Sequence, residues 1–277
     1  MRWPILKIIT IISYTSTVCF SSRTIPSLKS QSLQLRKIIV VNDGSTDGTG
    51  KLARSLGCLV VDLPYHKGSY VGRPELAKAW NAGLKRASID DPDYILLVDA
   101  DHPLPPNYVE LLVSRMEANP KLVVSSGRIE GEPYVESAPR GSGRLVKALF
   151  WRNVNNLQYP IVWGWQSWLC LKAIQMGYET FCFKDIRSKV LRQTGRKINE
   201  VENWGKGMYA LGYDWKYAME RCLGSFAKSP KMGLSMFWGW IRHKGVQRLD
   251  IADWVNQMQK KRFWSKVCSM IKHGDRK

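Results

Sequence analysis

Two apolar segments of this chain each end on acidic residues, and this pattern constrains the fold more than any other feature. Residues 38–41 are Ile and Val and lead to Asn42 and Asp43, while residues 94–98 lead to the triplet Asp99-Ala100-Asp101. Short apolar, β-branched runs of this kind predict buried strands. Ligands of open α/β sheets bind beyond the carboxyl ends of the strands, so the pattern predicts a polar crevice that suits a metal ion.

The rest of the chain alternates between strand and helix patterns. We predict strands over 5–13, 38–41, 58–62, 94–98 and 122–126, and helices over 22–34, 46–56, 75–86, 107–118, 145–157 and 167–176. Alternation of this kind predicts parallel βαβ units, hence an α/β fold with a doubly wound, mostly parallel sheet in three layers. Residues after about 200 are predicted to be mainly helical, and Ile251, Trp254, Val255 and Met258 recur at helical spacing.

The chain is strongly basic, with 42 Lys and Arg against 23 Asp and Glu among 277 residues. A net charge of +19 favours a polyanion such as nucleic acid, an anionic membrane face or a phosphorylated substrate. Residues 204–277 hold 15 of the basic and 5 of the acidic residues, with six of the twelve tryptophans. We therefore predict a catalytic-type domain over 1–203 and a basic, Trp-rich helical extension over 204–277 that suits a membrane surface, a nucleic-acid patch or simple packing.

The sequence also bears on where the protein is located. No apolar run approaches the roughly 18 to 20 residues that a spanning helix needs. The apolar stretch within the first twenty residues is interrupted by Lys7 and by hydroxyl side chains, so we interpret it as a strand and not as a signal peptide. The six cysteines form no CxxC pair, which predicts free thiols. We expect a cytoplasmic protein that can lie peripherally on the cytoplasmic membrane face.

The two acidic elements suit different parts of one ligand. Asp43 opens the sequence Asp-Gly-Ser-Thr-Asp-Gly-Thr, where a carboxylate at a strand end can accept hydrogen bonds from a base or a ribose. The alternative is that Asp43 and Asp47 only cap the following helix. Asp99 and Asp101 can converge on one hard cation, Mg²⁺ or Mn²⁺, together with diphosphate oxygens.

Together these elements resemble the nucleotide-sugar site of family 2 glycosyltransferases, which have the GT-A fold. The resemblance spans about residues 5 to 200, and the second acidic motif is followed by Pro103-Leu104-Pro105-Pro106. It implies a metal-dependent enzyme that moves a sugar, with inversion, from a UDP- or GDP-linked donor to a glycan, lipid or polyprenyl phosphate acceptor.

The resemblance also implies roles for individual residues. Asp101 is the expected direct ligand of Mg²⁺ or Mn²⁺, and Asp99 lies nearer the ribose and completes the metal-binding and catalytic pair. Asp43 is expected to contact the nucleoside, and Ser13 and Tyr14 match the positions that hold the base.

Cations for the diphosphate are less clearly defined by the sequence. Many members carry arginine where Trp80 stands, so Lys67, Arg73 or Lys78 would have to substitute, with a solvated helix start as the alternative for each. Arg192 is either a phosphate clamp or a surface arginine, since guanidinium binds phosphate bidentately.

The acceptor side departs from the family pattern. Where the family usually has Gly-Glu-Asp, this chain has Gly164-Trp165-Gln166, and Gln166 cannot act as the general base. Three accounts are open: Asp185 serves as the catalytic base, the acceptor is already an anion, or the protein is a weakly active transferase that binds donor.

A rival from another class is a basic nucleic-acid-binding or nucleotidyl-transfer protein. It would need a basic groove continuous with the acidic site. The sequence contains no RNP or KH motif, so we expect no nucleic-acid partner.

Overall fold

The structure is a computed structural model that describes residues 6–14, 18–68, 70–192 and 198–261. Its elements in chain order are β1 (Ile8–Tyr14), α1 (Val18–Lys29), β2 (Lys37–Asp43), α2 (Thr49–Ser55), β3 (Leu59–Leu63), α3 (Pro74–Ser88), β4 (Tyr94–Asp99), α4 (Tyr108–Ala118), β5 (Leu122–Ile129), β6 (Arg144–Lys147), α5 (Ala148–Asn155), α6 (Trp165–Gln175), β7 (Glu179–Ser188), α7 (Ile198–Ala210), α8 (Trp215–Lys228) and α9 (Pro230–Ile241). A further helical segment covers 252–261.

Seven strands of the described residues form a single sheet in the order β3-β2-β1-β4-β6-β5-β7. The neighbours β3–β2, β2–β1, β1–β4 and β5–β7 are parallel, whereas β6 is antiparallel to both β4 and β5. Every strand except β6 therefore runs in one direction. The predicted α/β class with a mostly parallel sheet is confirmed, and with it the connection of successive parallel strands through helices.

The sheet is covered by helices that pack closely on its central strands. Ile8, Ile12, Val40 and Leu96 belong to one buried cluster with residues of α4. On α3 the small residue Gly83 lets the helix approach, because an added Cβ would lie 2.7 Å from the Cγ2 atoms of Ile11 and Val41. Such packing fixes β1, β2 and β4, the three strands that carry the acidic edge.

The predicted helix over 145–157 is wrong in its first part, because residues 144–147 form the strand β6 and helix α5 begins only at Ala148. The apolar run continues from this short strand directly into the helix, so the sequence shows no boundary between them. No strand was predicted at β7, whose alternation is interrupted by charged residues. Both strands lie on the half of the sheet beyond β4.

By its internal contacts the chain divides into two compact units. The first contains the described residues of Met1–Tyr70, Glu75–Tyr159 and Met176–Thr194, and so the whole sheet. The second contains those of Val71–Pro74, Pro160–Gln175 and Gly195–Lys277. The domain boundary at 203 stays a prediction; in this division α6 and all of α7 belong to the second unit.

The second unit is helical, as predicted for residues after about 200. Val201, Met208, Ala218, Cys222 and Met236 form its buried cluster. The predicted amphipathic helix is present over 252–261, and its apolar residues are turned inward. Residues beyond 261, including the rest of the predicted extension, lie outside the described part of the chain.

The thiols at positions 58, 170, 182 and 222 are buried and take part in no disulfide among the described residues, in agreement with the prediction. Within the described ranges no helix combines the length and apolarity that crossing a membrane requires.

Candidate functional site

The register of the central strands brings the predicted nucleoside and metal residues to one edge of the sheet. Ser13 in β1 lies opposite Val41 in β2 on one side and Asp99 in β4 on the other. Tyr14 lies opposite Asn42, immediately before Asp43. Because neighbouring strands are about 4.8 Å apart, β2 and β4 are separated by about 10 Å across β1. A ligand of nucleotide size can therefore contact the ends of all three strands.

Asp43 contacts the loop that follows β3. Its carboxylate is buried, with Oδ2 3.2 Å from Nε2 of His66, and the His66 ring stacks on Tyr70 with ring centroids 3.8 Å apart. Burial raises the pKa of Asp43, and His66 opposes this shift. Sequence reasoning assigned no role to His66, because its contact with Asp43 depends on the approach of β3 to β2.

Helix α2 is not capped by Asp43. Its N-cap is Gly48, which has φ 80° and offers no side chain, and Asp47 accepts hydrogen bonds from the N–H and hydroxyl of Thr49. A role limited to the start of the helix therefore fits Asp47. The buried carboxylate of Asp43 contacts His66 instead.

The acid turn, residues 99–101, is held by side chains and backbone from three other segments. The N–H of Asp99 donates to the hydroxyl of Ser142 at 2.8 Å. The Thr24 hydroxyl donates to the carbonyl of Ala100 at 2.6 Å. The N–H of Leu191 donates to the carbonyl of Asp101 at 2.7 Å. These bonds hold the backbone of the turn in place from outside it.

His102 anchors the next position. Its fully buried ring lies between two hydroxyls, with Nδ1 2.7 Å from Oγ of Ser142 and Nε2 2.9 Å from Oγ of Ser188. Burial lowers the pKa of His102 to about 4, so the ring is neutral near pH 7. Sequence reasoning missed this residue because its partners are 40 and 86 positions away.

A buried guanidinium organises the loop that carries Ser142. Arg144 donates from Nε to the carbonyl of Arg140 at 2.9 Å and from Nη2 to that of Pro139 at 2.8 Å. The N–H of Arg140 in turn donates to the hydroxyl of Ser126 at 2.9 Å. The loop thereby places positive charge beside the acid turn while fixing the position of the Ser142 hydroxyl.

Asp99 lies in surroundings that disfavour its charge. Burial raises its pKa to about 7, with further contributions from the negative charges of Asp101 and Glu132, while Arg140 and Arg144 oppose the shift. A carboxyl group in this state gains strongly from a positive ligand. The side chain is therefore poised to bind a cation or to donate a hydrogen bond.

Asp101 has one positive neighbour. Its side chain is 6% exposed, and Oδ2 lies 3.3 Å from Nε of Arg192, whose side chain is 57% exposed. That oxygen is buried and makes no well-aligned hydrogen bond within the described residues. Burial raises the pKa of Asp101, and Arg192 opposes the shift. The structure thus places the predicted phosphate clamp, Arg192, beside the predicted metal ligand.

Three other predicted site residues, Asp185, Lys78 and Gln166, have exposed side chains. Asp185 is 63% exposed on β7 and pairs with Arg115 of α4 at 3.0 Å. Lys78 is exposed on α3, whereas Trp80 is buried on its inner face. Gln166 is exposed in the first turn of α6, which contains no acidic residue, and belongs to the second unit.

The donor set suits a hard cation that is completed by a ligand. Among the described residues no three His, Cys, Asp or Glu side chains converge as a metal site. Asp99 and Asp101 supply two carboxylates, and the buried Oδ2 of Asp101 makes no well-aligned hydrogen bond within the described residues, with Nε of Arg192 3.3 Å away. Since Mg²⁺ and Mn²⁺ are commonly held by one or two carboxylates plus substrate phosphates, the residues present fit such a group.

Comparison with solved structures gives the same architecture. A mannosyltransferase, PcManGT from Pyrobaculum calidifontis in complex with GDP-Man and Mn²⁺, superposes with a TM-score of 0.60 at 14% identity, over 83% of this chain and 68% of that one. Staphylococcus aureus TarS 1-349 superposes with a TM-score of 0.58 at 16% identity, over 86% of this chain and 79% of that one. At these identities the likeness shows a shared GT-A fold.

Comparison of sequences identifies the family. A poly-beta-1,6-N-acetyl-D-glucosamine synthase of Staphylococcus aureus (strain COL) is 29% identical over 136 residues, which are 46% of this chain and 30% of the synthase. This chain thus aligns with less than a third of that relative's length. The sequence profile of glycosyl transferase family 2 matches residues 11–177, from the first strand to the end of α6. The chain therefore belongs to glycosyl transferase family 2.

Proposed function

We propose that this protein transfers a sugar from a nucleotide-diphospho-sugar to an acceptor, with inversion at the anomeric carbon and with Mg²⁺ or Mn²⁺ as cofactor. The observation that carries the proposal is the shared edge formed by Ser13, Asp43 and Asp99, with Asp101 in the adjoining turn. Family membership supports the reaction class. The donor-bound solved structures, of TarS with UDP-GlcNAc and of PcManGT with GDP-Man and Mn²⁺, support a UDP- or GDP-linked donor.

In this proposal the strand ends divide the donor between them. Asp43 accepts hydrogen bonds from the nucleoside, with Ser13 and Tyr14 beside it on β1. Asp99 lies nearer the ribose and Asp101 holds the cation. A divalent cation bound there neutralises the charge that develops on the leaving nucleoside diphosphate. Arg192 and Lys78 are the proposed side-chain contributors to phosphate binding, and Arg192 already lies next to Asp101.

The acceptor is proposed to be an oxyanion such as a polyprenyl phosphate. This follows from α6, which carries Gln166 and no acid in its first turn, so no general base is present where the family usually has one. A phosphate oxygen can attack the anomeric carbon without losing a proton. Such a lipid acceptor fits a protein that lies peripherally on the cytoplasmic membrane face.

A donor screen followed by a transfer assay tests the function. We expect UDP- or GDP-sugars to raise the apparent thermal stability of the full chain in the presence of Mn²⁺, because a ligand that binds only the folded state stabilises it. With a polyprenyl phosphate present, NMR of the early product should show the anomeric configuration opposite to that of the donor.

The outcomes separate the alternatives. Donor binding without transfer to any acceptor would favour a transferase-like protein that binds donor and turns over weakly. Absence of donor binding, together with tight and salt-sensitive binding of RNA or DNA, would contradict the proposal and favour the nucleic-acid class. Retention of the donor's configuration would refute inversion alone. The variant Asp253→Asn removes an acid whose side chain is 88% exposed, and it serves as the control for the loss of one carboxylate in measurements of donor binding.

A further inference from the structure

Helices α8 and α9 of the second unit carry apolar residues on their outer faces as well as their inner ones. On α9 the exposed residues Leu234, Trp238 and Ile241 are 60%, 48% and 44% exposed and follow one another at i, i+4 and i+7. This spacing places them in one stripe along the helix. Lys231 and Arg242 are also exposed, at either end of the stripe.

The inner face of α9 is already fully used. Gly233, Met236 and Gly239 are buried, and a Cβ at Gly233 would lie 2.5 Å from the Cβ of Phe226 in α8. Gly239 packs with similar closeness against the backbone of Glu202 in α7. Because this packing fixes the helix, the outer stripe cannot turn inward. A helix that is apolar on both faces needs a second apolar surface.

Helix α8 has a second stripe of exposed apolar residues, which adjoins its buried side. Trp215, Leu223 and Phe226 are 60%, 60% and 44% exposed, and their positions i, i+8 and i+11 lie on one face. The buried residues of α8, Ala218 and Cys222, belong to the core of the unit. The two stripes occur on successive helices, with only Ser229 between them.

Cations accompany the exposed tryptophans. The guanidinium carbon of Arg242 lies 4.2 Å from the centroid of a Trp238 ring, and Nζ of Lys216 lies 5.7 Å from that of a Trp215 ring. Residues 215–248 contain seven Lys and Arg and a single acid, Glu220. This combination of large apolar side chains, interfacial tryptophans and one sign of charge matches the boundary region of an anionic lipid layer.

We propose that the outer faces of α8 and α9, here named the Trp-basic face, dock on an anionic lipid bilayer. The inference names the surface behind the proposed membrane contact and does not depend on the transfer reaction. A second copy of the chain is disfavoured as the occupant, because pairing of two copies through residues 215–248, which hold seven Lys and Arg and one acid, would bring like charges together. The helix over 252–261 is not the docking element, since Ile251, Ala252 and Val255 are buried.

Flotation of the full chain with vesicles tests the Trp-basic face. The probes are vesicles of phosphatidylcholine alone and of phosphatidylcholine with phosphatidylglycerol. We expect the wild type to float with the anionic vesicles and to bind the neutral ones much more weakly. Raising the salt to about 0.5 M should release it, because the Debye length then falls to about 4 Å.

Two variants separate the apolar and charged contributions. Leu234→Gln with Trp238→Gln should weaken binding at least about ten-fold, since partitioning scales with the buried apolar area. Lys231→Gln should weaken binding to anionic vesicles about five-fold, as expected for one cation near such a surface. The control, Ile89→Gln with Leu149→Gln, removes residues 71% and 66% exposed in the first unit and should leave binding unchanged.

All the changed side chains are exposed, so the variants are expected to fold, and circular dichroism with donor-induced thermal shifts confirms it for each. If Leu234→Gln with Trp238→Gln binds donor as the wild type does, its loss of flotation is a membrane effect that is separate from the proposed transfer. The inference is overturned if the wild type fails to float, if that double variant floats equally well, or if the variant converts a dimer to a monomer on size-exclusion chromatography without changing flotation. Equal loss in the control variant would also overturn it.

Discussion

Replacing Asp101 by Asn should remove metal-dependent donor binding and leave the free protein as stable as before. The change keeps the shape of the side chain and removes its charge. In the free protein the ionised carboxylate is disfavoured by burial, which raises its pKa, and its cationic neighbour Arg192 is 57% exposed. An ion pair that is open to solvent on one side contributes about 0 to 1 kcal/mol. Relief of the desolvation cost offsets that loss, so the free energy of unfolding should change by less than about 1 kcal/mol.

The effect on the bound protein is larger. A ligand present at about one hundred times its Kd stabilises the folded state by about 2.7 kcal/mol. For a chain of this size each kcal/mol raises the Tm by about 2 to 4 °C, so saturating nucleoside diphosphate with Mn²⁺ should raise the Tm of the wild type by about 5 to 10 °C. In Asp101→Asn the shift with Mn²⁺ should fall to the shift measured without it.

Thermal unfolding with and without nucleoside diphosphate and Mn²⁺ provides the measurement, with Asp253→Asn as the control for loss of one carboxylate. A full Mn²⁺-dependent shift in Asp101→Asn would refute the assignment of this residue as the metal ligand. A fall of several kcal/mol in the stability of the free variant would refute the reasoning in another way, because the carboxylate would then be a structural group.

Four further variants test other parts of the structure. Asp43→Asn should weaken nucleoside binding with or without metal; a loss confined to stability, measured by thermal unfolding, would instead assign it a structural role. Gly83→Ala should destabilise the protein by about 1 to 2 kcal/mol, because overpacking of about 1 to 3 kcal/mol outweighs the gain in helix propensity. The matched change Gly224→Ala, with no atom within 4 Å of the new Cβ, should stabilise it by about 0.5 to 1 kcal/mol in urea unfolding. Asp185→Asn should leave transfer to a polyprenyl phosphate unchanged; efficient transfer to a hydroxyl acceptor that collapses in this variant would refute the oxyanion proposal.

The sequence was sufficient to predict the acidic edge because the information is local there. Each of the strands at residues 38–41 and 94–98 is apolar, short and followed within two residues by its acid. Parallel strands must present their carboxyl ends together, so the proximity of the two distant motifs follows from strand direction alone. The register, with Ser13 between Val41 and Asp99, adds the order of the strands.

The supports of the site could not be predicted in the same way. His102 contacts Ser142 and Ser188, and neither serine carries a local signal that distinguishes it from the other serines of the chain. The contact of His66 with Asp43 likewise depends on a loop that follows another strand. The strand β6 was missed because four residues that run into a helix leave no periodicity of their own.

The electrostatics of the acid turn explain why a cation is part of the proposed function. A donor diphosphate is an anion, and an edge that presents Asp99 and Asp101 would repel it. Arg192 cannot compensate for both carboxylates, because it already pairs with Asp101 from a largely exposed position. Burial is the largest cause of the raised pKa of both acids, and the arginines beside them oppose this shift without cancelling it. A divalent cation held by Asp99 and Asp101 would offset this repulsion, so metal and donor should bind with positive coupling.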